Sequence, residues 1–441
     1  MYPDNMSRSA RLFERATESL PGGNTRHTVF FPPYPVYAAS GEGATVTDVD
    51  GVTYLDFMNN ASAAIHGHCH PEIVAAIREQ AGRLISVCLP TELEIGLAEI
   101  LRDRLPALEQ VRFCNSGSEA VMFALKAARA FTGRPKIAKI EGAYHGAYDP
   151  AEASISSRPD NWGDPKHPAK TAYSFGTPAN ILADVVVLPF NDVDASAALL
   201  DENRQQLAAV LVDPLISRMA FTRATPDYLK MLRRFCDESG AVLIFDEVFS
   251  FRMGPHGAQG EVGIAPDLTA LGKVIGGGLP IGAFGGRKSI MSVFDQRHGH
   301  PRAPHGGTFN GNPLTMAAGI KSLELLTPAA YAELARLGDR VRDGINAAFR
   351  RNGIEGQARG YASMTAVLLS RAQFSENRGY NAAAAANKRF PEIHRYLLEH
   401  GILVMPSGGI LLSTPMTDKD IDRLLDTFQG ALREYQSKRA A

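Results

Sequence analysis

Two residues of this chain could do chemistry together, Lys273 and Asp246. The lysine stands in the glycine-rich run Asp267-Leu-Thr-Ala-Leu-Gly-Lys-Val-Ile-Gly-Gly-Gly-Leu-Pro-Ile-Gly282. The aspartate, 27 positions earlier, ends the apolar run Ala241-Val-Leu-Ile-Phe-Asp246. A lysine near glycines is ordinarily a solvated surface residue. A lysine in a glycine-rich turn, paired with a carboxylate carried by a buried strand, is a different object. Pyridoxal phosphate (PLP) chemistry needs both groups. An amine holds the cofactor as a Schiff base and carries protons, and an acid keeps the pyridine nitrogen protonated so that the ring accepts electrons.

Other segments complete a candidate cofactor-binding set. Ser116-Gly117-Ser118 lies between a strand pattern and a helix pattern, where small residues let backbone N–H groups approach an anion at the helix's positive end. In Tyr144-His145-Gly146 an aromatic ring can stack on a planar cofactor, and the glycine allows close approach. Asp213 ends a further apolar run, and Thr308 is a glycine-flanked hydroxyl suited to a phosphate oxygen. The chain has no Walker loop, and Gly276-Gly-Gly-Leu-Pro-Ile-Gly282 fails the dinucleotide fingerprint.

These residues need a scaffold that brings distant segments together. Apolar runs at 111–114, 136–140, 184–188, 208–212, 241–245, 268–272 and 282–285 read as strands, several of them covered on both faces. Helical patterns such as 119–132 and 227–239 alternate with them. The expected fold class is therefore α/β, with a largely parallel sheet between helices. In such sheets sites gather beyond the carboxyl ends of the strands, where all the segments above fall. A large domain is expected over 71–322. A smaller α/β domain is expected from the N-terminal segment 1–70 and the C-terminal segment 323–441. Residues 154–177, polar and holding the only tryptophan, Trp162, read as a lid or an interface arm, and 371–380 as an irregular patch.

Composition excludes several classes. With 441 residues, 45% hydrophobic, the chain can bury a large core. A net charge of -1 without a basic stripe argues against nucleic acid. No stretch approaches a membrane span, the start lacks the apolar core of a signal peptide, and four scattered cysteines suggest neither disulfides nor zinc. A cytoplasmic enzyme without metal is the expectation.

Four motifs carry a resemblance over nearly the whole chain: Asn115-Ser-Gly-Ser-Glu-Ala120, Glu141-Gly-Ala-Tyr-His-Gly146, Ile244-Phe-Asp-Glu-Val248 and Leu271-Gly-Lys-Val-Ile-Gly-Gly-Gly-Leu-Pro280. In this order and spacing the chain resembles a class III (ω-type) aminotransferase of PLP fold type I. It is most similar to the branch of glutamate-1-semialdehyde aminomutase and β-phenylalanine aminotransferase. The resemblance implies that Lys273 bears the cofactor and Asp246 binds its pyridine nitrogen. Val248 and Tyr144 would flank the ring, and Gly117 and Ser118 would hold the phosphate. It further implies a homodimer in which Thr308 reaches the neighbouring subunit's phosphate, and a ping-pong exchange between an amine donor and a keto-acid acceptor. Arg26, in Gly22-Gly-Asn-Thr-Arg-His27, matches the arginine that grips the substrate carboxylate in the β-phenylalanine branch. The family's usual mobile C-terminal arginine is replaced by Ser407, and Arg218 stands near the position where the family has that arginine's glutamate partner, so Arg218 is a second candidate for a substrate carboxylate. The expected activity moves an amino group from a carboxylate-bearing amine, of the β-amino or aryl amino acid type, to a keto acid. The alternative is a 2,1-aminomutase, for which a missing gate arginine is no loss. A racemase or decarboxylase of the same fold, or a PLP-binding protein without turnover, fits less well.

Overall fold

The structure is a computed structural model that describes residues 2–440. The chain divides into two compact units. One comprises Glu72–Tyr331 together with Gln373–Asn381, and the other the residues up to Pro71, Ala332–Ala372, and Ala382 onward. The large domain was expected to end at 322. Its compact unit instead runs on through the helix Pro313–Leu325 to Tyr331, and it takes back a short stretch of the irregular patch.

The larger unit is built on a seven-stranded sheet. In chain order its strands are β1 (Gln110–Cys114), β2 (Lys136–Ile140), β3 (Val185–Leu188), β4 (Leu207–Val212), β5 (Val242–Asp246), β6 (Leu268–Gly272) and β7 (Gly282–Gly286). The spatial order is β1-β7-β6-β5-β4-β2-β3. Only β7 runs antiparallel to its neighbours. The sequence explains the two-sided burial: β3 (Val-Val-Val-Leu) and β4 (Leu-Ala-Ala-Val-Leu-Val) present no polar side chain to either face, and every residue of both is buried.

Two helices show how local sequence sets the layers. Helix α1 (Gly117–Thr132) starts where Ser116 accepts a hydrogen bond from the Glu119 N–H, and stops at Gly133, whose φ of 71° suits a glycine cap. Its buried Ala120, Val121, Ala124, Leu125, Ala127 and Ala128 form one stripe that packs on β7, β6 and β4. Helix α2 (Pro226–Ser239) begins with Thr225 as cap and proline in its first turn, and ends at Gly240 with φ 73°. The small residues of α1 let it lie close to the sheet, which places its N-terminus at the ends of the central strands.

In the smaller unit, strands Ala38–Glu42, Thr45–Asp48 and Thr53–Asp56 form a meander, and Ile402–Leu403 joins its edge parallel to Thr53–Asp56. The turn at Asp50-Gly51 uses a glycine at φ 83°. A second sheet pairs Gln357–Tyr361, Met364–Leu368 and Gly409–Leu411. The alanine run after Asn381 is helical, within Asn377–Ala384. Of the four cysteines, Cys114 and Cys236 are buried and Cys69 and Cys88 exposed, all as free thiols.

Candidate active site

The sheet collects the candidate residues at one edge. Strands β1, β2, β4, β5 and β6 share a direction, and their carboxyl ends lead into Asn115, Glu141, Asp213, Asp246 and Lys273. The antiparallel β7 starts at this edge, where Gly282 pairs with Gly272 on one side and Cys114 on the other. Gly282 has to be glycine. A Cβ there would lie 2.0 Å from the Ser116 carbonyl oxygen, so any side chain would push the 115–118 turn away from the lysine's strand.

That turn is a capping box. The Glu119 carboxylate accepts from the Asn115 N–H at 2.7 Å and from the Ser116 hydroxyl at 3.1 Å, while Ser116 Oγ accepts from the Glu119 N–H. The Ser116 hydroxyl is therefore committed to shaping the helix start, and the first turn of α1 leaves Gly117, Ser118 and the Ser118 hydroxyl for an anion. Val248 closes one wall: a Cβ on Gly117 would meet its Cγ1 at 2.6 Å. Gly146, at φ 84°, sits so close that a Cβ would be 2.4 Å from Ser118 Oγ, and the Ala147 N–H donates to that oxygen at 3.1 Å. Segments 115–118, 144–147 and 246–248 thus pack directly on one another.

Two carboxyl groups form the floor. Asp246, buried, accepts from the Val248 N–H at 3.0 Å through Oδ1, and its Oδ2 lies 2.7 Å from His145 Nδ1. Burial holds the His145 imidazole below its ordinary pKa and outweighs Asp246, which favours its charge. Asp213, bonded by the Leu215 N–H at 3.0 Å, is raised well above the usual carboxyl range by burial and by repulsion from Asp246. Lys273 lies within electrostatic reach of both. Burial lowers its ammonium pKa, and Asp246 and then Asp213 oppose that shift. Its backbone φ of 50° is in the left-handed region, uncommon for any residue but glycine. Strain of this kind marks positions where the surrounding fold dictates the conformation.

Sequence reasoning missed one close neighbour of the amine. Lys273 Nζ stands 5.4 Å from the centre of the Phe249 ring, which in turn lies 5.7 Å from the ring of Phe221. Phe249 was in plain view in the stretch after Val248, but an aromatic in an apolar run gives no sign of what it will face. At the rim, Tyr144 is half-exposed. Burial raises its pKa, and Arg218 is near enough to act against that. Arg218 is exposed and donates from Nη2 to Ser156 Oγ at 3.1 Å. Thr308 is exposed on the turn 308–311, whose Asn310 accepts from Asn115 Nδ2 at 2.9 Å. Arg26 belongs to the smaller unit, where its Nη1 donates to Asn60 Oδ1 at 2.6 Å.

The donor set fits PLP: an amine beside two buried carboxylates, facing a glycine-lined helix N-terminus that is suited to a phosphate. The Aminotransferase class-III family profile matches residues 31–432. This chain belongs to the class III aminotransferases. It is 38% identical to a beta-phenylalanine transaminase of Variovorax paradoxus, over 96% of this chain and 92% of that protein. It is 36% identical to glutamate-1-semialdehyde 2,1-aminomutase 2 of an Exiguobacterium species, over 98% and 99% of the two chains. Among solved structures it is similar to an omega-transaminase from Sphaerobacter thermophilus, with a TM-score of 0.95 and 47% identity over 98% of each chain. As a class III aminotransferase it has the PLP fold type I, depends on PLP, and takes an amine donor and a keto-acid acceptor. No helix among the described residues is long and apolar enough to cross a membrane.

Proposed function

We propose that this class III aminotransferase takes its amino group from a carboxylate-bearing amine, of the β-amino or aryl amino acid type, and passes it to a keto acid. The observation that carries this reading is the exposed guanidinium of Arg218 beside Tyr144, on the strand-end edge that holds Lys273. A guanidinium can make two parallel hydrogen bonds to a carboxylate. Arg26 is the second carboxylate ligand in this reading, supported by the likeness to the beta-phenylalanine transaminase.

When bound, PLP supplies an electron sink that acidifies the carbon bearing the amine. Lys273 is the residue that would bond the cofactor, and its amine is placed to move the proton at that carbon. The low-dielectric setting that depresses its ammonium pKa favours the neutral amine such a base requires. Asp246 would face the pyridine nitrogen, and His145 orients its carboxyl group. Asp213, whose carboxyl pKa is raised by burial and then by repulsion from Asp246, adds a second carboxyl group to the floor. Gly117 and Ser118 would hold the phosphate, and Val248 and Tyr144 would flank the ring. Thr308 reaches the phosphate of the partner in a homodimer. Ile85, Leu89 and Phe309, 60%, 72% and 59% exposed, are apolar surface that such an assembly could cover. The cytoplasm is the compartment we assign.

The alternative is an intramolecular 2,1-aminomutase, favoured by the Exiguobacterium relative and by Ser407 in place of a gate arginine. Spectra separate the two. A β-amino acid should convert the absorbance of the lysine-bound cofactor to that of its aminated form, and pyruvate or 2-oxoglutarate should reverse the change. Failure of every keto acid, with isomerisation of glutamate-1-semialdehyde, would establish the alternative.

A further inference from the structure

The stretch Gln373–Asn381 leaves the C-terminal part of the chain and packs in the larger unit, and its best-bonded residue is Arg378. The guanidinium donates to three consecutive carbonyl oxygens of the 154–177 loop, those of Trp162, Gly163 and Asp164, each at 2.9 Å. It lies 4.9 Å over the Trp162 ring, and its Nε is 3.4 Å from Glu141 Oε2. Glu141, only 2% exposed, is the first residue beyond β2 and precedes Tyr144 and His145 by three and four positions. Its other oxygen accepts from the Ser157 hydroxyl at 2.9 Å, and Asn377 Nδ2 donates to that same hydroxyl at 3.2 Å. Gly142, at φ 77°, lets this segment close in: a Cβ there would be 2.2 Å from Asn377 Oδ1. The neighbour of Ser157 in the chain, Ser156, is the hydrogen-bond partner of Arg218.

An arginine that bonds three backbone carbonyls, an indole face and a buried carboxylate is fixed in place, and so is everything it holds. We infer that Arg378 is a positioning residue, a latch that pins the loop 154–164 to the end of β2 and through Ser156 sets the orientation of Arg218. The latch ties three things to one side chain: the turn carrying Tyr144 and His145, the loop, and the specificity arginine. Its effect on substrate choice rests on the carboxylate role proposed for Arg218; its effect on the loop does not.

Trp162, the only tryptophan of the chain, reports the latch directly. In the full-length protein, Arg378→Ala should shift Trp162 emission to the red and raise its quenching by acrylamide. Cleavage by trypsin after Lys166 or Lys170 should speed up by roughly tenfold or more, as expected when local opening becomes easier by one decade. The KM for pyruvate should rise by roughly tenfold, the size of one lost charge-assisted contact, while the KM for 1-phenylethylamine, a donor with no carboxylate, stays unchanged. Arg378→Ala leaves Glu141 buried without its cation. If it does not fold, the double variant Glu141→Gln with Arg378→Met removes both charges and should give the same three changes. Unchanged emission and unchanged cleavage in the folded variant would overturn the latch. A freed loop with equal KM changes on substrates with and without a carboxylate would overturn the orientation of Arg218. If Arg218→Ala itself leaves all KM values unaltered, the carboxylate reading is what fails, and fluorescence and proteolysis still decide the latch.

Discussion

At the scale of single residues, the proposed chemistry divides between Lys273 as a covalent anchor and Asp246 as an electrostatic one. Lys273→Ala should abolish the visible band of the lysine-bound cofactor and all turnover. In the wild type, borohydride reduction followed by peptide mapping should place the pyridoxyl group on Lys273 alone. Asp246→Asn keeps the shape and leaves an acceptor for His145 Nδ1 but removes the charge opposite the pyridine nitrogen. Losing one buried charge-assisted hydrogen bond should lower turnover by roughly 10- to 150-fold, measured at saturating donor. Unaltered turnover would mean that another group holds the nitrogen. Both residues were legible in the sequence, because their types are rare in such apolar and glycine-rich surroundings. Phe249 and Glu141 were not singled out: the sequence shows what they are, but only the fold shows what they face.

Among the elements, the N-terminus of α1 carries the greatest local burden. The capping box at Asn115, Ser116 and Glu119 satisfies the helix's free N–H groups on one side and leaves Gly117 and Ser118 for the phosphate on the other. Ser116→Ala removes the cap acceptor and should cost about 1 kcal/mol in urea unfolding of the apoprotein. The same variant should bind PLP more weakly in equilibrium titration, although its hydroxyl need not touch the phosphate. Loss of affinity without any loss of stability would instead argue for direct contact. The strand pattern and both helix ends could be read from capping residues, glycine stops and apolar runs. What escaped was the sharing of β7 between Gly272 and Cys114, since antiparallel insertion of a strand into a parallel sheet leaves no local mark.

For the whole molecule, buried titratable groups set how stability responds to acid. His394, in the smaller unit, is buried edge-on against Phe31 at 5.2 Å, and burial pushes its pKa down to about 4. Its folded pKa lies below the unfolded value, so the unfolded chain binds more protons between about pH 4 and 6.5. Its contribution is therefore complete above pH 6.5 and is lost as pH falls toward 4. Glu247 acts in the opposite sense over much of this range, because burial raises it to about 7. A difference measurement isolates the histidine: the melting temperature of His394→Gln, relative to wild type, should improve steadily from pH 6.5 to 4. A difference that does not vary with pH would show that His394 titrates alike in the native and unfolded states.

The sequence by itself determined the class of chemistry, the cofactor and the order of strands and helices along the chain. These follow from residue type, apolar period and capping signals, all of which act over a few positions. Tertiary structure decided which polar groups meet. Asp246 finds His145 about a hundred residues away, and Arg378 crosses from the C-terminal third of the chain to Glu141 and the Trp162 loop. Such pairings cost nothing to leave unmade in an extended chain. They become obligatory only when burial removes water as the alternative partner, and burial is a property of the assembled fold rather than of any stretch of sequence.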